Sequence, residues 1–363
     1  MSAPRSPMTE SIDNIVVSSR VRMARNLDGH PFPGWAKKAD RIRVLEIIRP
    51  AVLSAEEMEG ASFETMDSLS AIDKQILVER HLISREHAAK GGGSAIALNR
   101  AGTLAVMINE EDHMRMQAIM HGFKLGNVYQ LMDQLDTHLS DQLPFAFSPK
   151  IGFLTACPTN VGTGMRASAM LHLPALVLLD HINKIVLAVN KLGLAVRGLY
   201  GEGTEALGNL FQISNQTTLG EKEADILDRL GKVIAEIAKH EQNARATLLE
   251  KNPRMVYDHV GRAYGILANA QTITSKETMN LLSMLSLGID LGLFEDLSHA
   301  MIDRIFMDTQ PAHLQRNHNN QKLGAEDRDG LRADHIRDKL TAVRRPKFTI
   351  PPSQPIEGKE EKP

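Results

Sequence analysis

The chain has 363 residues, of which 42% are hydrophobic and 24% charged, and its formal net charge is −2. These proportions are ordinary for a globular protein, and the length suggests two domains, each with its own core. The near-neutral charge provides no basic field that would favour nucleic acid as a partner. Cys157 is the single cysteine in the sequence, so no internal disulfide forms, which fits a reducing cytosol.

Membrane insertion and secretion are both disfavoured by the sequence. The first ten residues lack the apolar core of a signal peptide. A helix that spans a bilayer needs about 20 consecutive apolar residues. The longest candidate, 173–189, is interrupted by Asp180, His181, Asn183 and Lys184. We therefore expect a soluble, cytoplasmic protein with no membrane partner.

The first two-thirds of the sequence combine short apolar runs with helical periodicity. After a flexible segment at 1–14, a strand at 15–17 continues into the segment 18–26. Helices are predicted over 38–59, 71–81 (capped by Ser70), 128–143 and 174–192. Strands are predicted at 95–98, 103–108, 113–120, 151–156, 194–199 and 210–214. Most neighbouring strands are joined as in hairpins, so we expect an α+β domain over 15–241, with a central antiparallel sheet flanked by helices.

From Thr218 onward the pattern is helical. A long helix over 219–250 is ended by Asn252-Pro253, and four helices follow over 255–269, 275–291, 297–307 and 327–343. We expect an all-helical domain at 242–344 and a disordered, charged tail at 345–363. The apolar, methionine-rich face at 279–287 is either ordinary core or a surface for assembly into dimers or larger oligomers.

An acidic cluster at 109–112 separates two predicted strands. Glu110, Glu111 and Asp112 repel one another and are costly to desolvate, so a fold retains them at a strand end for a reason. A solvated acidic turn is the simpler interpretation. Arg115, four residues after Glu111, offers a cation beside the acids. The motif alone leaves both interpretations open.

Arginines occur near strand ends, where a solvated surface more often carries lysine. They are Arg20, Arg22, Arg115, Arg166 and Arg197. Arg20 and Arg22 alternate with Val21, which in an extended strand directs both guanidiniums to one face. A guanidinium binds phosphate oxygens through two hydrogen bonds and keeps its charge, so the set suits a nucleoside triphosphate. Structural ion pairing with acids is the alternative.

The glycine-rich segments are not known nucleotide-binding loops. Neither contains Gly-x-x-x-x-Gly-Lys-Ser/Thr, nor Gly-x-Gly-x-x-Gly after a strand. Arginines rather than a lysine loop would then hold phosphates. Gly162, Gly164, Gly201 and Gly203 allow the backbone to approach a ligand closely or to move.

Three segments carry a specific resemblance by their order and spacing: Ser18-Ser19-Arg20-Val21-Arg22, Asn109-Glu110-Glu111-Asp112-His113-Met114-Arg115, and 157–166. They resemble the signature blocks of phosphagen (guanidino) kinases, over roughly residues 14–245. The separate N-terminal helical domain, which selects a small guanidine in that family, has no counterpart here, and a C-terminal helical extension is present instead. Together with 197–202 and 210–216, this arrangement is similar to bacterial protein-arginine kinases of the McsB type.

The resemblance implies a guanido-kinase catalytic fold that uses ATP and Mg²⁺, with no metal ligand from protein side chains. It places on the ATP phosphates Arg20, Arg22, Arg115, Arg166 and Arg197, with His81 near the nucleotide. It places Glu111 and Glu202 on the acceptor guanidinium. Met170 stands where arginine kinases commonly have a histidine, which leaves the base and ribose contacts open.

A pair of carboxylates suits this chemistry. A guanidinium has a pKa above about 12 and no free lone pair, so its nitrogen is a poor nucleophile. Glu111 and Glu202 would clamp it, aim one nitrogen at the γ-phosphorus and accept the proton. Arginines and Mg²⁺ supply the neutralisation of phosphate oxygens that phosphoryl transfer requires. Cys157 is either a thiolate in contact with the acceptor or a buried, inert cysteine.

A second motif lies in the helical extension, at Arg328-Asp329-Gly330-Leu331-Arg332-Ala333. Arg328 and Arg332 are one helical turn apart, so both point the same way. The motif matches the Arg-Asp-x-x-Arg-Ala pattern of the phosphoarginine-binding pocket in protein-arginine kinases. A solvated helix with i,i+4 charges is the alternative. We expect a second site that binds the product and regulates activity or assembly.

The resemblance also implies partners: protein substrates with exposed arginines, a zinc-binding activator protein, and a Clp-type ATPase–protease that receives marked proteins under stress. Two other functions stay open. A kinase of free arginine or another small guanidine is disfavoured because the domain with the selecting loop has no counterpart. A non-catalytic phosphoarginine-binding adaptor would need neither the two carboxylates nor the five arginines.

Overall fold

The computed structural model describes residues 12–198, 206–318 and 323–349. The strands in these ranges are β1 (Val16–Arg25), β2 (Ser62–Thr65), β3 (Ala95–Leu98), β4 (Leu104–Ile108), β5 (Met114–His121), β6 (Phe147–Ser148), β7 (Gly152–Phe153), β8 (Met165–His172), β9 (Leu194–Gly198) and β10 (Leu210–Asn215). The helices are α1 (Lys38–Ser54), α2 (Ala71–Glu79), α3 (Arg85–Ala88), α4 (Leu125–Gln142), α5 (Pro174–Leu178), α6 (Ile182–Lys191), α7 (Glu223–Lys251), α8 (Pro253–Asn269), α9 (Ser275–Asp290), α10 (His299–Asp308), α11 (Pro311–Asn317) and α12 (Ala325–Leu340). Among these helices, none is long and apolar enough to cross a bilayer.

The main sheet has its strands in the order β2-β3-β4-β5-β1-β8-β10-β9. β1 lies inside the sheet and pairs with β5 on one side and β8 on the other. Each of these pairings is antiparallel, and β6 and β7 form a separate two-stranded ribbon. The antiparallel sheet with flanking helices confirms the predicted α+β fold, and the helices after β10 confirm the helical extension.

One face of this sheet packs on α4 and α7. Val21 and Met23 of β1 point to that face and belong to the same buried cluster as Met132 of α4 and Ile234 of α7. Each such side chain stabilises the fold by about 1.5–3 kcal/mol when fully buried. Because side chains alternate along a strand, Arg20 and Arg22 point to the opposite face.

The C-terminal helices enclose a second apolar cluster, which includes Leu267 of α8, Leu285 of α9, Ile305 of α10 and Ile336 of α12. The methionine-rich face at 279–287 contributes to the interior of the fold, since Met279, Leu282, Leu285 and Leu287 are all buried. This face is therefore core, and it does not support assembly into oligomers.

Helix α7 runs without a break through Glu241, where we placed the boundary between the two domains. The Glu241 carboxylate accepts hydrogen bonds from the backbone N–H groups of Ala175 and Leu176 at the start of α5. Arg245, one turn later, binds both Glu241 and Asp290 of α9 at 2.8 Å. These buried charges join the sheet domain to the helical extension.

The helix predicted over 38–59 ends at Ser54, two further predicted elements are divided or shortened, and β2, α3 and α11 were not predicted. The helix expected at 174–192 is divided into α5 and α6, because Asp180 adopts a left-handed backbone conformation (φ +56°). The strand expected at 151–156 shortens to β7, because Asn26 and Asp112 take the backbone hydrogen bonds of Leu154 and Ala156. Helix α11 was not expected; Glu79 of α2 caps its first N–H groups from a distant part of the sequence.

The expectations for the termini fall largely outside the described residues. Within the segment expected to be flexible, Ile12–Asn14 form a 3₁₀ turn. Within the expected tail, the Lys347 N–H donates to the Leu293 carbonyl at 2.8 Å, and the Phe348 ring stacks on Tyr257 with centroids 5.0 Å apart. The described start of the tail is therefore packed against the helical domain.

Candidate active site

Strand register brings the five arginines to one face of the sheet. Arg22 of β1 lies directly opposite Arg166 of β8 and opposite Gln117 of β5. Arg115 is two residues from Gln117 and therefore shares its face. Arg197 of β9 is opposite Gln212 of β10, whose side-chain oxygen accepts a hydrogen bond from Arg20 at 3.2 Å. This face is the one that points away from α4 and α7.

A cleft of about 260 Å³ opens over this face; we call it the arginine cleft. Its walls include Arg22, Arg115, Arg166, Arg197, Glu111, Cys157, Thr159 and Asn160. Four of the five arginines predicted to bind phosphate therefore line one cavity together with Glu111, which was predicted to bind the acceptor guanidinium. Arg20 lies beside it on β1, bonded to Gln212.

The arginines repel one another in this cleft. Burial and the charge of Arg115 lower the pKa of Arg20 to about 10. Burial, followed by the charges of Arg20, Arg115 and Arg166, lowers the pKa of Arg22 well below its usual value. Among the described residues, the Arg22 Nε atom is one of the few buried polar atoms without a hydrogen-bond partner. A site with this excess of positive charge is suited to a polyanion, which would relieve the repulsion.

The acidic cluster is divided among three different environments. Glu110 is buried, and Arg115 donates to both of its carboxylate oxygens, at 2.9 and 2.8 Å. Burial acts to raise the pKa of Glu110, but Arg115 and the Ser84 hydroxyl outweigh it, so the pKa is lowered. Asp112 is also buried and accepts hydrogen bonds from the Asn26 side chain at 2.6 Å and the Ala156 N–H at 2.7 Å. Glu110 therefore fixes the Arg115 side chain, and Asp112 fixes the Asn26 side chain and the backbone at Ala156.

Glu111 is the exposed member of the cluster. It lines the arginine cleft. Partial burial raises the pKa of Glu111, and the neighbouring charges of Asp112 and Glu110 raise it further. A carboxylate with a raised pKa is a better proton acceptor. The geometry thus separates one chemically available acid from two that are already bonded.

His81 adopts a left-handed backbone conformation (φ +57°) just after α2. Its carbonyl oxygen accepts a hydrogen bond from the Gln117 side chain at 2.6 Å, which fixes it beside the arginine face. Burial, and then the charge of Arg20, lower the pKa of the His81 imidazole. At neutral pH the ring is therefore uncharged and adds nothing to the repulsion among the arginines.

The loop from Cys157 to Gly164 positions Arg166. The Arg166 Nε donates to the Asn160 side chain, and its terminal nitrogen donates to the Thr159 hydroxyl, both at 3.0 Å. Gly164 has φ +65°, and a Cβ there would lie 2.7 Å from the Ala24 carbonyl oxygen. Only glycine allows this approach of loop to β1. Cys157 lies in the same loop, with its Sγ 3.0 Å from the Thr159 hydroxyl.

Glu202, the second predicted carboxylate, lies outside the described residues, as do Gly201 and Gly203. The position of the Glu202 carboxylate relative to that of Glu111 is therefore outside what the structure describes. The sequence reasoning missed four polar residues that hold the arginines and their neighbours: Ser84, Gln117, Asn160 and Gln212. Gln117 follows Arg115 by two residues, so strand alternation contained a signal for it.

The second motif lies on α12. Arg332 is buried, and it donates to the carbonyl oxygens of Thr309 at 3.0 Å and Ile273 at 2.9 Å. It also pairs with Asp329, three residues earlier. Arg328, one turn before Arg332, is half-buried and donates to the Leu323 carbonyl at 3.4 Å. The structure therefore pairs Asp329 with Arg332, while Arg328 is bonded to Leu323; Arg332 also fastens α12 to the segments that precede α9 and follow α10.

Comparisons with known proteins follow the same division of the chain. The C-terminal catalytic domain of ATP:guanido phosphotransferases matches residues 43–244, and the C-terminal domain of the protein-arginine kinase McsB matches residues 253–350. The protein-arginine kinase of Halothermothrix orenii is 44% identical over 330 residues, which cover 90% of this chain and 93% of that protein. The protein-arginine kinase of Bacillus licheniformis is 43% identical over 329 residues, 90% of each.

Solved structures show the same fold. Lombricine kinase superimposes with a TM-score of 0.57 at 24% identity, over 68% of this chain and 72% of that chain. The substrate-free duplicated taurocyamine kinase from Schistosoma mansoni superimposes with a TM-score of 0.57 at 25% identity, over 88% of this chain and 46% of that chain. Because the family matches and the close relatives span most of the sequence, the chain belongs to the protein-arginine kinases of the ATP:guanido phosphotransferase family.

Proposed function

We propose that this protein transfers the γ-phosphoryl group of ATP to arginine side chains of other proteins. The observation that carries the proposal is the arginine cleft, in which four arginines surround one available carboxylate, Glu111. Family membership and relatives named as protein-arginine kinases support the same activity. A catalytic cleft of this composition also argues against a non-catalytic phosphoarginine adaptor.

ATP would occupy the arginine cleft through its phosphates. Arg20, Arg22, Arg115, Arg166 and Arg197 would neutralise the equatorial oxygens, and neutral His81 would lie near the nucleotide. Among the described residues, no three His, Cys, Asp or Glu side chains cluster as metal ligands. The guanidinium groups of the cleft do not bind cations. A Mg²⁺ ion would therefore be held by the nucleotide phosphates rather than by the protein. Bound in that way, the ion supplies charge neutralisation during transfer.

The acceptor guanidinium would lie against Glu111. As one guanidinium nitrogen attacks the γ-phosphorus, a P–N bond forms, the bond from phosphorus to the ADP oxygen breaks, and the nitrogen loses a proton. Glu111 would orient that nitrogen, and its raised pKa favours acceptance of the proton. Glu202 would clamp the other side, an assignment that rests on the family resemblance. Cys157 lines the same cleft and would contact the acceptor.

The motif on α12 would bind phosphoarginine as a regulatory second site. Arg328 and Arg332 would hold the phosphoryl group and Asp329 the guanidine. Arg332 already donates to the backbone carbonyls of Thr309 and Ile273. Binding of phosphoarginine to Arg332 would therefore be transmitted to α10 through Thr309. The family resemblance further suggests a cytoplasmic enzyme that self-associates, responds to a zinc-binding activator protein and marks substrates for a Clp-type protease.

The test is a competition between two acceptors. The protein is incubated with ATP, Mg²⁺, free arginine and an unfolded protein, and the products are analysed by mass spectrometry without acid, because the P–N bond is acid-labile. We expect phosphoarginine within the unfolded protein. Phosphorylation of free arginine alone would assign the enzyme to the small-guanidine kinases. If neither acceptor is phosphorylated and no ATP is consumed, even when cell extract is added as a source of activator, the proposed activity is refuted.

A further inference from the structure

A second, larger cleft of about 800 Å³ adjoins the arginine cleft; we call it the aromatic cleft. The two share Glu111 and Arg115 as wall residues. The remaining walls include Phe32, Trp35, Glu86 and Lys90. A guanidinium seated at Glu111 would therefore lie at the mouth of this cleft, and whatever is attached to the guanidinium would lie inside or over it.

The aromatic cleft displays the only tryptophan of the sequence. Trp35 is 90% exposed, the largest exposed fraction among the large hydrophobic side chains of the described residues. Tryptophan is among the residues most enriched at binding hot spots, and here it stands at the wall of a cleft that adjoins the arginine cleft. Glu86 and Lys90 lie at the same cleft and give it both signs of charge.

The loop that carries Trp35 is held firmly. The Trp35 N–H donates to the Phe32 carbonyl at 2.9 Å, and Arg41 donates to the carbonyl of Ala36 at 3.2 Å. The Phe32 ring meets the edge of His113 at a centroid distance of 6.0 Å. The indole is thus presented outward by a fixed backbone, so its exposure does not arise from a loose loop.

His113 links this loop to the acidic cluster. Its Nδ1 accepts a hydrogen bond from the Leu27 N–H, and its Nε2 donates to the Pro31 carbonyl, both at 3.0 Å. This pair of bonds requires the neutral tautomer with the proton on Nε2. Since His113 is two residues from Glu111, the position of the Trp35 loop is set by the same segment that positions the acceptor carboxylate.

We infer that the aromatic cleft binds the polypeptide on either side of the acceptor arginine, with an apolar side chain of the substrate packed on Trp35. This inference rests on the proposed function. Continuity with the Glu111 wall identifies the occupant, because a polypeptide whose arginine reaches Glu111 extends into this cleft. Free arginine has no flanking residues and would not reach Trp35. The cleft therefore favours arginines within proteins over free arginine.

The single tryptophan provides a direct readout. Intrinsic emission is titrated with a tryptophan-free peptide that has one arginine between leucines, with the same peptide carrying serines in place of leucines, and with N-acetylarginine amide. We expect the leucine peptide to shift the emission to shorter wavelength as the indole is covered, and N-acetylarginine amide to leave it unchanged. No shift with saturating leucine peptide, or equal shifts with all three compounds, would overturn the inference.

Kinetics provide the second arm. Trp35→Ala is expected to raise the KM for the leucine peptide about tenfold, the effect of one lost aromatic contact, with kcat and the KM for ATP within about twofold. Trp35→Phe should restore most of the affinity, and the rate with N-acetylarginine amide should not change. The matched control is Leu187→Ala on α6, where a side chain that is 63% exposed lies outside both clefts. Unchanged peptide KM in Trp35→Ala, or an equal loss with N-acetylarginine amide, would refute the role of Trp35.

The two arms separate this inference from the proposed function. If the unaltered protein transfers no phosphoryl group to any peptide or protein, the proposed function fails, while the emission titration still decides whether polypeptide covers Trp35. If it phosphorylates peptides and Trp35→Ala behaves as the unaltered protein, the aromatic cleft is not the substrate surface and the proposed function stands.

Discussion

Replacing Arg22 with methionine should have opposite effects on stability and on nucleotide binding. The side chain stands on the sheet opposite Arg166, is repelled by Arg20 and Arg115, and has a buried Nε without a hydrogen-bond partner among the described residues. A buried polar group left without a partner costs about 1–3 kcal/mol. Methionine is similarly long and carries no charge, so Arg22→Met should stabilise the ligand-free protein by about 1–2 kcal/mol, the lower part of that range.

The same change removes a charged donor to phosphate. Hydrogen bonds to charged groups contribute about 1.5–3 kcal/mol, which corresponds to a loss of about 10- to 150-fold in ATP affinity. Scanning calorimetry without nucleotide and titration calorimetry with ATP measure the two effects separately. We expect an unfolding temperature raised by about 1–3 °C for the ligand-free protein and markedly weaker ATP binding.

Arg25→Met is the matched control, since Arg25 is on the same strand but points to the other face. Its side chain is buried, pairs with Asp136 at 2.6 Å and lies over the Phe153 ring at 3.6 Å. Removing one partner of a buried ion pair costs about 3–5 kcal/mol, so this variant should be strongly destabilised. If Arg22→Met is destabilised in the same way and binds ATP normally, Arg22 is a structural arginine and the reasoning about the arginine cleft is wrong.

Two further predictions concern the contact between the sheet and the helical extension. Burial, and then the charge of Arg245, lower the pKa of His172 to about 3. The stability that neutral His172 contributes is present above its unfolded pKa of about 6.5 and is lost as the pH falls from there towards 3. His172→Gln should therefore flatten the loss of stability between about pH 6.5 and pH 4, measured by urea unfolding; an unchanged pH dependence would contradict the assignment. Glu241→Ala leaves Arg245 with one carboxylate fewer and uncaps α5, so we expect a loss of about 3–5 kcal/mol. Chemical unfolding of this variant beside the exposed control Glu236→Ala measures it, and a loss below about 1 kcal/mol would exclude a structural role for the pair.

Features that depend on local periodicity were predictable from the sequence. The fold class followed from strand spacing, and the alternation of Arg20 and Arg22 was enough to place them on one face, as the register of β1 shows. The Ser70 cap of α2 was also visible as a side chain that precedes helical periodicity, and it accepts the expected N–H bond.

Features that depend on partners far along the chain were not predictable. Helix α11 has only seven residues, too few for a periodic signal, and Glu79 caps it from more than 200 residues away. The helix α7 pattern contained no sign that Glu241 and Arg245 are buried, because charged residues in a helix are ordinarily solvated. The exposure of Trp35 is likewise a result of how its loop is anchored by His113, a contact between residues about 80 positions apart in sequence.

The acidic cluster at 109–112 combines a feature that was predictable from the sequence with one that was not. Three adjacent acids are equivalent in composition, and only their contacts distinguish them. Ser84 and Arg115 donate hydrogen bonds to Glu110, and Asn26 and Ala156 donate to Asp112. Glu111 remains exposed where the two clefts meet.

The measurement that tests this account most directly is the rate of phosphoarginine formation by Glu111→Gln. Glutamine preserves the shape of the side chain but accepts no proton, and general-base catalysis contributes about 10²–10⁴-fold. We predict that kcat falls by that factor while ATP affinity and the unfolding temperature stay within error, with Glu236→Gln as an unaffected control. The rate of the unaltered enzyme should also decline as the pH falls through the raised pKa of Glu111, which must be ionised to act. A Glu111→Gln variant that retains more than about a third of the kcat of the unaltered enzyme would contradict the central claim.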